Sequence, residues 1–455
     1  MKIFGKKTVL LLIVLIITAC EGFIDEELPK DMVSEEMTFN NERMAAAALT
    51  NIYTLMRNNG FLSGNRDGIS YLLGCYADEL EVRSQQESGY RHFFQGSVLS
   101  NNQSVKNLWN NTYSQIYAAN NVVEGVIAST ALSVEVKNQL LGEALAIRGL
   151  LHFYLTQTFG NIPYVKTTDY NVNRNMAKTD VGEVMKMVKE DLLKAEQLLI
   201  PLYPSGEKVR INRRVVQGFL ARVNLYEKNW SAARAYAELV IDDALYDCDA
   251  LDKVFLKGSK SAVWQFKTAV EGVNTLEGGA HIFIALPVPN ARLHPVLLDE
   301  FDPGDQRKVQ WVKQVGTDPQ NTHAFKYRQR AATASTLEYS VIIRIEEMYL
   351  IVAEATAEQG DMETCSSSLD VLRSRAGLPR LDFTDRQSAV DAILKERRLE
   401  LFAEFGHRFY DLKRMGRMND LSIVKQNWQE HFRVLPLPEN ELLLNPNMLP
   451  QNFGY

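Results

Sequence analysis

The stretch Ala392–Gly416, AILKERRLELFAEFGHRFYDLKRMG, restricts the fold more than any other part of the chain. At about 100° per residue, Ile393, Leu394, Leu401, Phe402 and Phe405 share one apolar helical face. Arg397 and Arg398 fall inside that face, and Glu400 and Glu404 lie at its edge, within reach of the Arg397 guanidinium. Charge on a face that docks must be paired, because an unpaired buried charge is far costlier than an exposed one. The pattern predicts a helix running to Gly406, braced by buried ion pairs among Arg397, Arg398, Glu400 and Glu404. Gly406 ends it. His407–Arg414 then folds back alongside, bringing Asp411 and Arg414 into the same network. Catalytic carboxylates are the other reading of these acids, and no further motif joins them.

The N-terminus has a different logic. Lys2, Lys6 and Lys7 precede an apolar run, Thr8–Ile17, which is shorter than the roughly 20 residues that span a bilayer. The run ends in Ile17-Thr18-Ala19-Cys20, small residues before a cysteine, similar to a lipoprotein signal-peptidase site. Residues 1–19 therefore read as a signal peptide, Cys20 as the lipidated first residue, residues 20–40 as an acidic tether, and residues 41–455 as one domain. Processing at Cys20 removes three lysines and no acids, so the net charge of −6 becomes −9. That charge argues against a nucleic-acid partner. Glu21, Asp25, Glu26 and Glu27 are either a surface-export signal or a solvated linker. Cys75, Cys248 and Cys365 remain after Cys20, an odd number that allows at most one internal disulfide.

Helical periodicity dominates the rest. It predicts helices over Glu42–Arg57, Val105–Ile127, Val134–Phe159, Val181–Leu199, Val215–Glu227 and Trp230–Ile241. GFLARVNLYEKNWSAARAYAELVI resembles a tetratricopeptide (TPR) helix pair, with Ala221, Tyr226, Trp230, Ala233 and Ala237 where paired helices approach. A second such pair covers Val341–Arg375, with Gly360-Asp361 at its turn. Ala262–Phe266 and His281–Leu286 read as short strands. Phe61–Leu99 lacks a sustained helical period and reads as a long loop rich in Gly, Ser, Asn, Arg and Tyr, a kind of segment that is usually functional or disordered; its aromatics argue for function. The fold class is mainly α: a superhelix of TPR-like pairs with long irregular loops and a few short strands.

Several motifs together resemble the SusD/RagB family of outer-membrane lipoproteins. Glu396–Leu401 reads ERRLEL, followed by Glu404, Arg408, Asp411, Leu412 and Arg414 in the family's order. Glu143, Arg148, Phe153, Leu155, Phe159, Gly160 and Pro163 match a second motif, with Gly149 where Ala is usual. Glu347, Tyr349, Ala353, Glu354 and Ala355 match a third, and Asp305 with Arg307 a short fourth. The ending LPLPENELLLNPNMLPQNFGY also matches, with Phe453 replacing a proline. The resemblance implies a non-enzymatic, lipid-anchored outer-membrane protein facing the cell exterior. It would capture an oligosaccharide or a peptide and pass it to a SusC-type TonB-dependent transporter. A TPR-type envelope scaffold for protein partners is the alternative.

No cofactor motif is present: the chain lacks G-x-G-x-x-G, a phosphate loop, G-x-S-x-G and H-E-x-x-H. Asp299, Asp302 and Asp305 do not have calcium-loop spacing, so no metal is assigned. Sugar capture needs aromatic platforms and forked donors, and these should sit on loops because the helices bury theirs. The candidates are Arg66, Tyr71, Tyr90, Arg91, Phe93, Phe94, Phe283 and Trp311, with Tyr90 and Trp311 foremost.

Overall fold

The computed structural model describes residues 38–455. The signal peptide, Cys20 and the tether up to residue 37 lie outside the described residues. The tether expected over residues 20–40 includes Phe39, which is already packed: a Cβ on Gly125 would strike its ring at 2.1 Å. Among the described residues, no helix is long and apolar enough to cross a membrane.

Asn41 caps α1 (Glu42–Asn58) through its side chain, which accepts from the Met44 N–H at 3.1 Å. The presumed long loop then turns out to hold α2 (Ile69–Tyr76), β1 (Leu80–Val82) and α3 (Gly89–Gln95). These elements are too short to show a period in sequence. Two 26-residue helices follow, α4 (Gln103–Ala128) and α5 (Val134–Phe159), then the single turn α6 (Tyr170–Asn173) and α7 (Val181–Leu198). Packing of α5 on α7 is close: a Cβ on Gly149 would lie 3.2 Å from the Val188 carbonyl. Glycine at that position keeps the crossing tight. Arg148 clamps the same crossing with two 2.7 Å bonds to Asp191.

The first TPR-like pair is α8 (Arg213–Tyr226) with α9 (Trp230–Ile241), and Ala221, Ala233 and Ala237 are fully buried there. The connecting region carries β2 (Ala262–Phe266), α10 (Leu276–His281), β3 (Ala291–Leu293), α11 (Pro295–Asp299), α12 (Gln306–Trp311), β4 (Val312–Gln314), β5 (Thr322–Ala324) and β6 (Ser340–Arg344). The strand expected at His281–Leu286 is absent; α10 occupies its first residue and no strand follows. Three small antiparallel pairs form, β1 with β3, β2 with β6 and β4 with β5. The second TPR-like pair is α13 (Ile345–Gln359) with α14 (Met362–Arg375), turned by Gly360 at φ 83°. Helix α9 packs on α13, so the two pairs stack, and α15 (Arg386–Leu401) closes against α13. The chain finishes with α16 (His407–Arg414) and, near the C-terminus, α17 (Glu439–Leu444). One apolar core runs through most of the molecule, and a second cluster, including Leu350, Leu369 and Ile393, lies between α13, α14 and α15.

The predicted long helix to Gly406 stops five residues early, at Leu401. Ala403, Phe405 and Gly406 take positive φ values of 56°, 39° and 68°, turning the chain before α16. Cys75, Cys248 and Cys365 are free thiols, so none of the allowed disulfides forms among them.

Candidate functional site

The charged stretch builds a buried lattice rather than an open site. Glu400 is fully buried and accepts from Arg344 at 2.6 Å, Arg375 at 2.5 Å and Arg307 at 3.2 Å. Glu404 accepts from Arg344 at 2.9 and 3.0 Å and pairs with Lys326. Burial alone would raise the Glu400 carboxyl; Arg375, Arg344 and Arg307 overcome it and hold the group well below the usual carboxylate range. Arg397 does not meet Glu400 or Glu404. Its Nε donates to Asp411 at 2.8 Å, because the turn after Leu401 carries Glu404 off the helical face. Arg398 pairs instead with Asp78 at 2.9 Å and Glu300 at 3.0 Å. Arg414 joins Asp411 at 2.7 Å and also meets Glu354. Asp305 binds Arg307 at 2.8 Å and Asp302 binds Lys395 at 2.7 Å, so both carboxylates are engaged by cationic side chains.

Most of the aromatic candidates are packing residues. Trp311 is fully buried; its indole N–H donates to the Leu251 carbonyl at 2.8 Å, and its ring lies between Phe255 and Phe402. It offers no face to a ligand. Phe93 is buried under Tyr76, and Phe283 is buried against His323. Phe94 is half-buried with the Lys425 ammonium 4.2 Å from its ring centre. Arg91 folds back on its own loop, donating to the Ser84 carbonyl and to Gln85 Oε1.

Arg66 and Tyr90 do come together. They line an open groove of about 610 Å³, whose walls are the loop before α2, the N-terminal ends of α3 and α4, and α10. Tyr71 is buried beneath, edge-on to Tyr90 at 5.4 Å between ring centres and 5.4 Å from His281. The Asn290 amide ties the rim together: oriented with its oxygen accepting from Arg66 Nη2 at 2.8 Å, it donates to Tyr90 Oη at 3.2 Å. Arg66 Nη2 also reaches the Gly279 carbonyl at 3.3 Å. Arg66 Nε and Ser88 Oγ are buried and have no partner among the described residues. Ser104 Oγ donates to Asp67 at 2.7 Å, fixing the floor. Only glycine fits at residue 89, since a Cβ there would sit 1.9 Å from Ser104 Oγ; that lets α3 approach α4 and shapes the groove.

Sequence reasoning missed Ser88, Gln103, Asn107 and Leu276, which also line the groove. The available signal was the Asn102 cap, whose side chain accepts from the Ser104 and Val105 N–H groups and marks where polar helix-end residues emerge. The site combines an aromatic ring held at its edge, a guanidinium with an unpaired nitrogen, and several hydroxyl and amide groups. That arrangement can hold a polyhydroxylated ligand by stacking and hydrogen bonds.

A family model described as starch-binding associating with outer membrane matches residues 22–225, and one described as SusD family matches residues 318–455. The chain is 21% identical to SusD-like protein P25 of Formosa agariphila, with 96% of this chain and 97% of that protein covered. It is 24% identical to SusD-like protein P2 of the same organism, covering 99% and 100%. A SusD superfamily structure from Bacteroides thetaiotaomicron superposes with a TM-score of 0.77 at 24% identity, over 90% of this chain and 99% of that one. A laminarin-binding SusD-like protein superposes with a TM-score of 0.75 at 21% identity, over 91% and 100%.

Proposed function

Because the chain belongs to the SusD/RagB family of carbohydrate-binding, outer-membrane-associated proteins, we propose that it is a surface receptor that captures an oligosaccharide in the Arg66–Tyr90 groove. The observation that carries this reading is the convergence there of the half-buried Tyr90 ring with the unpaired Arg66 Nε and Ser88 Oγ. A sugar ring stacks its C–H face on an aromatic ring such as Tyr90 and offers its hydroxyls to neighbouring polar groups. The description of the matching family model names starch, and that of one structural neighbour names laminarin. Capture requires no bond making, so the protein acts by binding and handing over. Cys20 supplies the lipid anchor, residues 20–37 the tether, and the rest of the chain a single domain. A SusC-type TonB-dependent transporter receives the ligand.

Titration calorimetry of the lipid-free protein with maltoheptaose and laminariheptaose tests the reading. Replacing Tyr90 by alanine should weaken binding about tenfold, the loss of one stacking face and its hydroxyl, with the melting temperature nearly unchanged. Unchanged affinity in Tyr90→Ala would remove the groove from the function. Binding of peptides and of neither glucan would reassign the ligand class, and cleavage of either sugar would make the protein an enzyme. Co-purification with a TonB-dependent transporter tests the delivery step.

A further inference from the structure

The Arg66–Tyr90 groove ends on Asn107 of α4, but the outward stripe of that helix continues. Gln103, Asn107, Asn110, Tyr113 and Tyr117 recur at three- and four-residue spacing. The last three open into a second groove of about 410 Å³, walled by α4, α6 and α17. Four aromatic side chains line it: Trp109, Tyr113, Tyr117 and Tyr170. Tyr117 is 52% exposed and Tyr170 71% exposed, far more than a ring used only for packing. The Tyr113 hydroxyl donates to the Pro163 carbonyl at 2.8 Å, which fixes that ring.

Thr168 and Asn445 of this groove are engaged internally, with Glu124 and with Met176 and Asn447, but Arg174 and Asn173 keep unpaired groups. Arg174 lies over the Tyr170 ring at 5.7 Å, and among the described residues its guanidinium has no ion pair or hydrogen bond. The Asn173 amide donates to the Thr167 carbonyl at 2.8 Å while its oxygen has no partner. Burial raises the Glu441 carboxyl above its usual range, against a hydrogen bond from Trp109 that lowers it. The wall therefore alternates rings with open donors and acceptors. A uniformly apolar partner would leave those polar groups unsatisfied, whereas a sugar chain presents C–H faces to the rings and hydroxyls to the amides and guanidinium.

We propose that this second groove is a distal saccharide subsite, filled by a later segment of the same oligosaccharide that the Tyr90 groove holds. The proposal rests on the reading of the Tyr90 groove as a glycan site. Asn107 and Tyr117 are ten residues apart on one helix, about 15 Å along its axis. A short oligosaccharide fills one groove; a longer one reaches both. The second contact is then intramolecular, so affinity rises with chain length without any change in the sugar unit.

The test compares maltotriose with maltoheptaose, and laminaritriose with laminariheptaose, by calorimetry on three proteins: wild type, Tyr90→Ala, and the double variant Tyr117→Ala with Tyr170→Ala. Both tyrosines of the double variant are exposed, and an unchanged melting temperature confirms the fold. Wild type should bind its preferred heptaose roughly tenfold or more tighter than the matching triose. The double variant should bring that ratio close to one by weakening the heptaose alone, while Tyr90→Ala weakens both lengths. A double variant that keeps the wild-type ratio, or that weakens both lengths equally, overturns the distal subsite and leaves the Tyr90 reading standing. A wild type that binds none of the four sugars overturns both. A double variant with normal sugar binding that no longer co-purifies with a membrane transporter makes the groove a protein interface and overturns the subsite.

Discussion

Replacing Glu400 with leucine is expected to destabilise the protein by about 3–5 kcal/mol, read as a lower urea midpoint with an unchanged slope. Glu400 sits at the centre of a lattice that joins Arg307, Lys326, Arg344, Arg373 and Arg375 to Asp305, Glu346, Glu396, Glu400 and Glu404. Five cations face five carboxylates, so the buried cluster is neutral. Leucine fills similar volume, but it leaves one positive charge in excess where water does not reach. It also leaves three guanidinium groups short of a common acceptor. Glu400→Gln keeps an acceptor and loses only the charge, so its cost should fall between wild type and leucine. Adding Arg344→Met to Glu400→Leu restores neutrality, and the double variant should be less damaged than the sum of the two singles. A Glu400→Leu protein within about 1 kcal/mol of wild type would mean that the lattice is solvated and adds little. The elements it ties are β6, α12, α14 and α15, so the lattice locks the second TPR-like pair to the irregular middle of the chain.

The helical repeats were legible because their apolar periods are local. Val184, Val188, Leu192 and Ala195, four residues apart or nearly so, are all fully buried on α7. The lattice was legible only in its residue types. Spacing rules pair residues three and four apart, yet the partners of Glu400 come from β6, α12 and α14, distant in sequence. Arg397 was paired wrongly because a helical wheel assumes that the helix continues, and here Ala403 and Phe405 adopt positive φ. The groove was half legible. Arg66 and Tyr90 carry the chemistry that loop composition suggests. Trp311 was expected on a loop, but it ends α12, and Phe255 and Phe402 cover it from far away in sequence. Phe93 and Tyr71 were placed on a loop because α2 and α3 are only eight and seven residues long, too short for periodicity to reveal their buried faces. Asn107 was invisible for the opposite reason: a polar residue on a long amphipathic helix reads as solvent-facing, not as a groove wall.

Glu79→Gln is expected to raise stability at pH 8 by about 2–4 kcal/mol and to leave it nearly unchanged near pH 4. Glu79 is buried; one oxygen accepts from the Ala403 N–H at 3.4 Å and the other has no partner. The neighbouring Asp78 takes the cations, binding Arg398 and Arg408 at 2.9 Å. Burial, helped by the Asp78 charge and opposed by Arg398, pushes the Glu79 carboxyl up to about 8. In the unfolded chain it titrates near 4.3. Below that pH both states hold the proton, and the contribution of this group is fully present. As pH rises, the unfolded chain releases its proton first and the folded one does not, so stability falls by up to about 1.4 kcal/mol per unit until the folded group ionises near pH 8. Glu277, pushed up to about 7 chiefly by burial, slopes the same way. Glu347 slopes the other way: burial opposes its ionisation, but Arg222 and neighbouring cations hold it at about 2, so its contribution is lost as pH falls from about 4.3 toward 2. The contribution of Glu79 should therefore decline between about pH 4.3 and pH 8. Glutamine keeps the shape and one acceptor but cannot ionise, so Glu79→Gln should flatten that decline in urea melts at pH 5, 6.5 and 8. Parallel declines in the two proteins would show that Glu79 is already ionised in the native state, paired with Arg398 in place of Asp78.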